Sequence, residues 1–269
     1  MIELCAHFGF KELPFTKEIE HGEEFESEAL TNLRIRLNFL LTHKGIGLVS
    51  GRPGCGKTTF VRNFVSRLNP GLYKTIYLHH SNFSPAEFYR DLAWGLGLVP
   101  KQKRSDLCRQ IAACITDIFK TKRLIPVIII DEAQMLKRDI LEELLLLTNY
   151  EMDSRDYMVL LMVGQQAFES TLSLADNEAL MQRIVVRANI QPMSKSETKE
   201  YIVAHMKRVG SNRAVFDKTA IEAIFQTSKG IMRRTNRIAL LGLEQSMAEK
   251  KATVTGEHVI SGVTLHQLA

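Results

Sequence analysis

The run "IPVIIIDE", Ile125 to Glu132, constrains the fold more than any other stretch of this chain. It is short, unbroken in its apolar character and closed by two carboxylates. A strand with one wet face alternates apolar and polar residues, whereas one without alternation is buried on both faces. Sheets built from such strands are parallel and carry helices on each side. The neighbouring sequence agrees. "GIGLVS", "KTIYLHH", "YMVLLMVG" and "QRIVVRANI" read as further strands, the last at an edge. Helical periodicity lies between them, in "SPAEFYRDLAWGLGL", "RSDLCRQIAACITDIFKTKR" and "LKRDILEELLLLTNYE", and ahead of them in "EALTNLRIRLNFLLTH". Ser84-Pro85 supplies a helix cap followed by a first-turn proline. Five strands alternating with helices predict a doubly wound parallel sheet with right-handed crossovers. Trp94 falls among apolar residues at helical spacing and is expected in the core.

From about Met193 the strand pattern stops. "SKSETKEYIVAHMKRVG" opens with a capping-box pair, Ser194 and Glu197, and is stopped by Gly210; three further helical segments follow. The expected division is an α/β domain over residues 1–192, including an N-terminal segment 1–24, and a small all-helical lid domain over residues 193–269.

"GRPGCGKT", Gly51 to Thr58, satisfies G-x4-G-K-[ST] in full, between a strand and a helix. A chance match in a chain of this size is on the order of one in a hundred. Its glycines, Gly51, Gly54 and Gly56, let backbone N–H groups and the next helix N-terminus converge on phosphate oxygens. The expected nucleotide contacts are Gly51, Pro53, Gly54, Cys55, Gly56, Lys57, Thr58 and Thr59. Lys57 reaches the β- and γ-phosphates of ATP, and Thr58 ligates Mg²⁺. Asp131, at the end of the buried strand, completes the magnesium shell. Glu132 is placed to polarise a water for attack on the γ-phosphate.

Composition fits a globular chain, with 45% apolar and 24% charged residues and a net charge of +5. No apolar run approaches the roughly 18–20 residues that span a bilayer. There is no basic, then apolar, leader, and the four scattered cysteines read as reduced thiols. The expected setting is cytoplasmic, without a membrane partner. Val99 to Arg123 carries seven basic residues and two acidic ones, which by charge alone suits either a solvated helix face or a polyanion partner.

These motifs resemble the AAA+ ATPases, specifically the ExeA/GspA-like family and, closest in kind, the transposition regulator ATPases. "HFGFKELPF" is similar to the family's opening signature, "SGRPGCGKTT" and "IIIDEAQML" to its Walker A and B motifs, and "LLMVGQQAF" to its sensor 1 strand. "MQRIVVRANI" resembles its arginine-bearing segment and "SKGIMRRTNRIALLGL" its sensor 2 helix, with Met232 where secretion-type relatives carry proline. The resemblance implies Gln165 as sensor 1, Arg233 as sensor 2 on the nucleotide, and Arg183 or Arg187 as an arginine finger acting in a neighbouring subunit. It therefore implies a homo-oligomer, either a ring or a helical filament. It also implies double-stranded DNA as a partner, held without sequence preference by Lys101, Lys103 and Arg104 with Ser81 and Asn82, together with a transposase and a target-selection protein. Alternatives are a secretion-type envelope-assembly ATPase and a replication-initiator or helicase-loader ATPase. The first usually continues into a membrane segment and the second into a winged helix, and neither extension is expected here.

Overall fold

The computed structural model describes residues 2–16, 25, 27–78, 84–151, 154–211 and 213–267. In chain order the helices are α1 (Ile2–Phe8), α2 (Glu28–His43), α3 (Lys57–Ser66), α4 (Pro85–Leu96), α5 (Arg104–Lys120), α6 (Arg138–Leu147), α7 (Ala167–Leu172), α8 (Glu178–Gln182), α9 (Lys195–Arg208), α10 (Lys218–Ser228), α11 (Met232–Ala248) and α12 (Gly256–Gln267). The strands are β1 (Gly45–Gly51), β2 (Tyr73–Leu78), β3 (Ile125–Ile130), β4 (Val159–Val163) and β5 (Ile184–Ile190). None of the described helices is long and apolar enough to cross a membrane.

The chain forms two compact units, one of Glu28–Gly51 with Lys57–Ile190, the other of Met1–Ser27, Arg52–Gly56 and Gln191–Ala269. In the first, the five strands form one parallel sheet ordered β2-β3-β4-β1-β5. Burial follows position in the sheet. β1 and β4 are buried at every residue and β3 from Pro126 onward, whereas the edge strands β2 and β5 alternate buried and open residues. That is why "VIII" lacks alternation: Ile128 and Ile130 lie under Phe88, Leu92, Leu107, Ile111 and Ile140 in one cluster with Leu160 and Met162. Each such side chain contributes roughly 1.5–3 kcal/mol of burial. β1 and β3 lie on either side of β4, so their carboxyl ends come to the same edge of the sheet, where open α/β sheets bind ligands.

Trp94, expected in the core, is 62% exposed. The buried stripe of α4 runs through Phe88, Tyr89, Leu92, Ala93 and Leu96, and Trp94 falls off that face.

The second unit is helical. The N-terminal segment, expected with the α/β domain, clusters instead here, because Leu4, Phe8, Phe10 and Phe15 complete a core with Tyr201, Ile202, Val209, Ile224 and Leu243. α9 opens with the capping box anticipated: Ser194 Oγ accepts the Glu197 N–H (3.2 Å) and the Glu197 carboxylate accepts the Ser194 N–H (2.8 Å). Within this core His205 lies between Phe15 and Tyr201, with ring centroids 4.8 and 4.5 Å away. Burial, and then the charge of Arg208, lowers its pKa to about 3, so it is held neutral.

Candidate active site

β1 ends at Gly51 and hands over to a loop whose shape demands glycine. Gly54 has φ +81° and Gly56 φ +89°, and a Cβ on Gly56 would stand 2.6 Å from Met232 Sδ. The Gly54 carbonyl accepts the Arg233 N–H at 3.0 Å, so the loop is fastened to the first turn of α11. The loop's Cys55 is buried, and its N–H donates to the Arg52 carbonyl. Lys57, the first residue of α3, is itself buried and donates from Nζ to the Gly51 carbonyl at 3.0 Å. The unpaired N–H groups at the start of a helix favour anions, so the place where Lys57, Thr58 and Thr59 begin α3 suits phosphate.

Seventy-three residues later, β3 delivers Asp131 to the same place: Thr58 Oγ1 donates to Asp131 Oδ2 at 2.9 Å. The second donor to Oδ2 is Tyr77 Oη, also at 2.9 Å, and Oδ1 accepts the Glu132 N–H at 2.8 Å. Partial desolvation and then this hydrogen bond hold the Tyr77 phenol well above its ordinary pKa, so it stays a donor. Thr58 hydroxyl and Asp131 carboxylate form an all-oxygen, hard donor pair, which fits Mg²⁺. Among the described residues no group of three or more His, Cys, Asp or Glu gathers as a metal cage. Mg²⁺ ordinarily needs none, because one or two protein oxygens and the substrate's phosphates suffice.

Glu132 leaves the strand in a left-handed conformation, φ 52° and ψ 40°. For a residue with a Cβ this costs about 1–2 kcal/mol, a strain found where a site requires it. Its exposed carboxylate accepts a hydrogen bond from Gln134 Nε2 at 2.5 Å, and Gln134 Oε1 accepts the Gln165 N–H at 2.9 Å. Gln165 thus stands at the end of β4, one amide away from Glu132. Sequence reasoning missed Gln134 and Tyr77. Gln134 belongs to "IIIDEAQ" itself, and Tyr77 is the outward residue of an alternating edge strand that ends beside Asp131.

The remaining candidates separate. Arg187 is exposed on edge strand β5, its Nη2 donating to the Met181 carbonyl. Arg183 is part-buried and donates to the Leu145 carbonyl and Thr148 Oγ1, each at 3.2 Å, which ties it to the end of α6. Lys101 and Lys103 are exposed in the loop between α4 and α5, whose backbone Gln110 pins through the Val99 carbonyl (2.9 Å) and the Lys101 N–H (3.2 Å). Arg104, expected to meet DNA phosphates with them, is instead paired with the buried carboxylate of Glu143, which also accepts Tyr89 Oη at 2.8 Å. Ser81 and Asn82, like His79 and His80, lie outside the described residues.

Residues 40–172 match the AAA domain family. General secretion pathway protein A of Aeromonas hydrophila is 28% identical over 242 residues, 86% of this chain and 42% of that protein. The chain therefore spans less than half the length of the curated relative it matches. Among solved structures, Drosophila ORC bound to DNA aligns with a TM-score of 0.68 at 19% identity, over 97% of this chain and 65% of that one. The ORC2 protein of Aeropyrum pernix aligns with a TM-score of 0.67 at 18% identity (93% and 70% covered), and the RuvB Holliday junction branch migration motor of Thermotoga maritima with 0.57 at 19% (90% and 70%). Likeness at such identities shows the fold alone.

Proposed function

We propose that this chain, which matches the AAA domain family over residues 40–172 and is similar to general secretion pathway protein A, is an AAA+ ATPase that uses ATP to gate assembly on double-stranded DNA, where it recruits or regulates a transposase. The observation that carries the catalytic half is the run Thr58–Asp131–Glu132, drawn from the start of α3 and the end of β3 and joined by bonds of 2.9 and 2.8 Å.

In this reading the loop from Gly51 to Gly56 and the first turn of α3 bind the triphosphate, with Lys57 moving from the Gly51 carbonyl to the β- and γ-oxygens. Thr58 and Asp131 hold Mg²⁺, which, when bound, offsets the charge on the phosphate oxygens. Tyr77 and the Glu132 N–H keep the Asp131 carboxylate oriented. Glu132 orients the attacking water and takes its proton. Gln165 touches the γ-phosphate or that water, and Arg233 meets the nucleotide beside the loop to which its backbone is bonded. Arg187, open on an edge strand, is the better finger for a neighbouring subunit, since Arg183 already serves α6.

The DNA half rests on Lys101 and Lys103, exposed on a pinned loop, and on the fold shared with an ORC structure bound to DNA. Such phosphate contacts position without reading sequence and weaken steeply with salt. The deciding experiment is anisotropy of a labelled random-sequence duplex with ATP, ADP or no nucleotide, across salt. Binding that requires ATP and falls with salt supports the proposal; none under any nucleotide removes DNA from it. The identity to general secretion pathway protein A favours a second reading, envelope assembly, in which the same ATPase cycle proceeds with no response to DNA. A target-selection protein and a cytoplasmic ring or filament belong to the first reading.

A further inference from the structure

We propose that Gln134 is the positioning residue of this site, holding the Glu132 carboxylate in its working direction and tying it to the end of β4. The inference rests on the reading of Glu132 as the base. Three observations carry it. First, Gln134 is used at both ends of its amide: Nε2 donates to Glu132 Oε2 at 2.5 Å, and Oε1 accepts the Gln165 N–H at 2.9 Å. The second bond fixes the amide's orientation, because a backbone N–H can only donate and so must face Oε1, which leaves Nε2 for the carboxylate. Second, Gln134 stands on firm ground. It belongs to the 3₁₀ turn Ala133–Met135, Ala133 is fully buried, and Gly164 leaves the room its amide fills, since a Cβ there would come within 3.2 Å of Oε1. Third, Glu132 needs such help. It is exposed and backbone-strained, with a flexible side chain whose ordering costs on the order of 1–2 kcal/mol.

The arrangement has a consequence for the cycle. Gln165 is the segment proposed to touch the γ-phosphate, and its N–H is the anchor of the amide that aims the base. A shift of Gln165 toward or away from the nucleotide is passed to Glu132 through one side chain. Base and sensor are then set together.

The test uses the full chain with MgATP and compares single-turnover hydrolysis, ATP affinity and melting temperature for Gln134→Leu, Gln134→Glu, Glu132→Gln and the double variant Glu132→Gln/Gln134→Leu. Gln134→Leu removes both bonds. It is expected to lower the hydrolysis rate by about tenfold to hundredfold, the range seen when outer hydrogen-bond partners are lost, with ATP affinity within about twofold. Gln134→Glu keeps an acceptor for the Gln165 N–H but opposes Glu132 with a like charge, so it is expected to be at least as slow. In the Glu132→Gln background Gln134→Leu is expected to change nothing further, because residues acting as a unit are not additive. A Gln134→Glu rate equal to wild type overturns the inference, since an anchor for Gln165 alone would then suffice. An additive double variant overturns it as well. If Gln134→Leu does not fold, Gln134→Glu and the wild-type comparison still decide. Wild-type hydrolysis by Glu132→Gln itself strikes at the base assignment instead, and is read separately.

Discussion

Asp131 receives three donors on two oxygens, and each has a separate task. Thr58 comes from the phosphate loop side, the Glu132 N–H fixes the start of the next turn, and Tyr77 reaches in from the edge strand. Tyr77→Phe is therefore expected to raise several-fold the Mg²⁺ concentration giving half-maximal hydrolysis, with about 1 kcal/mol lost in stability, measured by magnesium titration and thermal melting. Arg104→Ala makes a contrasting prediction. It leaves the Glu143 carboxylate buried with Tyr89 as its remaining donor among the described residues, so the expected effect is destabilisation on the order of 1–3 kcal/mol, visible in denaturant unfolding, with little change in DNA affinity. The phosphate-loop residues and Asp131-Glu132 were legible because their chemistry is encoded in contiguous letters. Gln134 was not, because its role depends on β3 lying beside β4 in the register Ile130↔Met162, which brings Gln165 within reach. The pairing of Arg104 with Glu143 was not legible for a related reason: the partner lies 39 residues along the chain.

At the scale of elements, the five-stranded parallel sheet was read from the alternation of strands with helices, and the doubly buried β3 and the edge strand β5 fall where the sequence put them, whereas the edge position of β2 was not foreseen. Capping was legible too, because it is local. Ser194→Ala removes half of the box that starts α9 and is expected to cost about 1 kcal/mol, measurable as a lowered melting temperature. What local pattern could not give was which face of α4 is inside, so Trp94 was placed wrongly. α9 also carries a pH response. His205 is neutral in the folded state down to about pH 3, whereas an unfolded histidine takes up a proton near its ordinary value of about 6.5. Its folded pKa is the lower of the two, so the unfolded state binds more protons in that window. Stability is fully present above about pH 6.5 and is lost as pH falls toward 3, by up to about 1.4 kcal/mol per pH unit. His205→Phe is expected to flatten that slope in unfolding experiments between pH 6.5 and 4, even if it shifts stability at pH 7.

For the whole molecule, charge sets the expected behaviour toward DNA. The net +5 is concentrated unevenly, and Lys101 and Lys103 offer it on an exposed loop. Replacing both by glutamate is expected to abolish ATP-dependent duplex binding and its salt slope while leaving hydrolysis without DNA unchanged, as anisotropy and phosphate release would record. The α/β fold was legible as a whole, but the membership of its companion unit was not. Nothing in the periodicity of "HFGFKELPF" says that Phe8, Phe10 and Phe15 belong to a core whose other half begins after residue 190. That arrangement has a meaning in time. Phe8, Phe10 and Phe15 are made well before the helices that bury them, while Glu28–Gly51 and Lys57–Ile190, made in between, can close first. At roughly 5–20 residues per second the delay between Phe15 and its ring partner Phe216 is on the order of ten to forty seconds. For that interval the nascent chain carries an unburied aromatic segment, which a chaperone or the chain's own growing surface must shield.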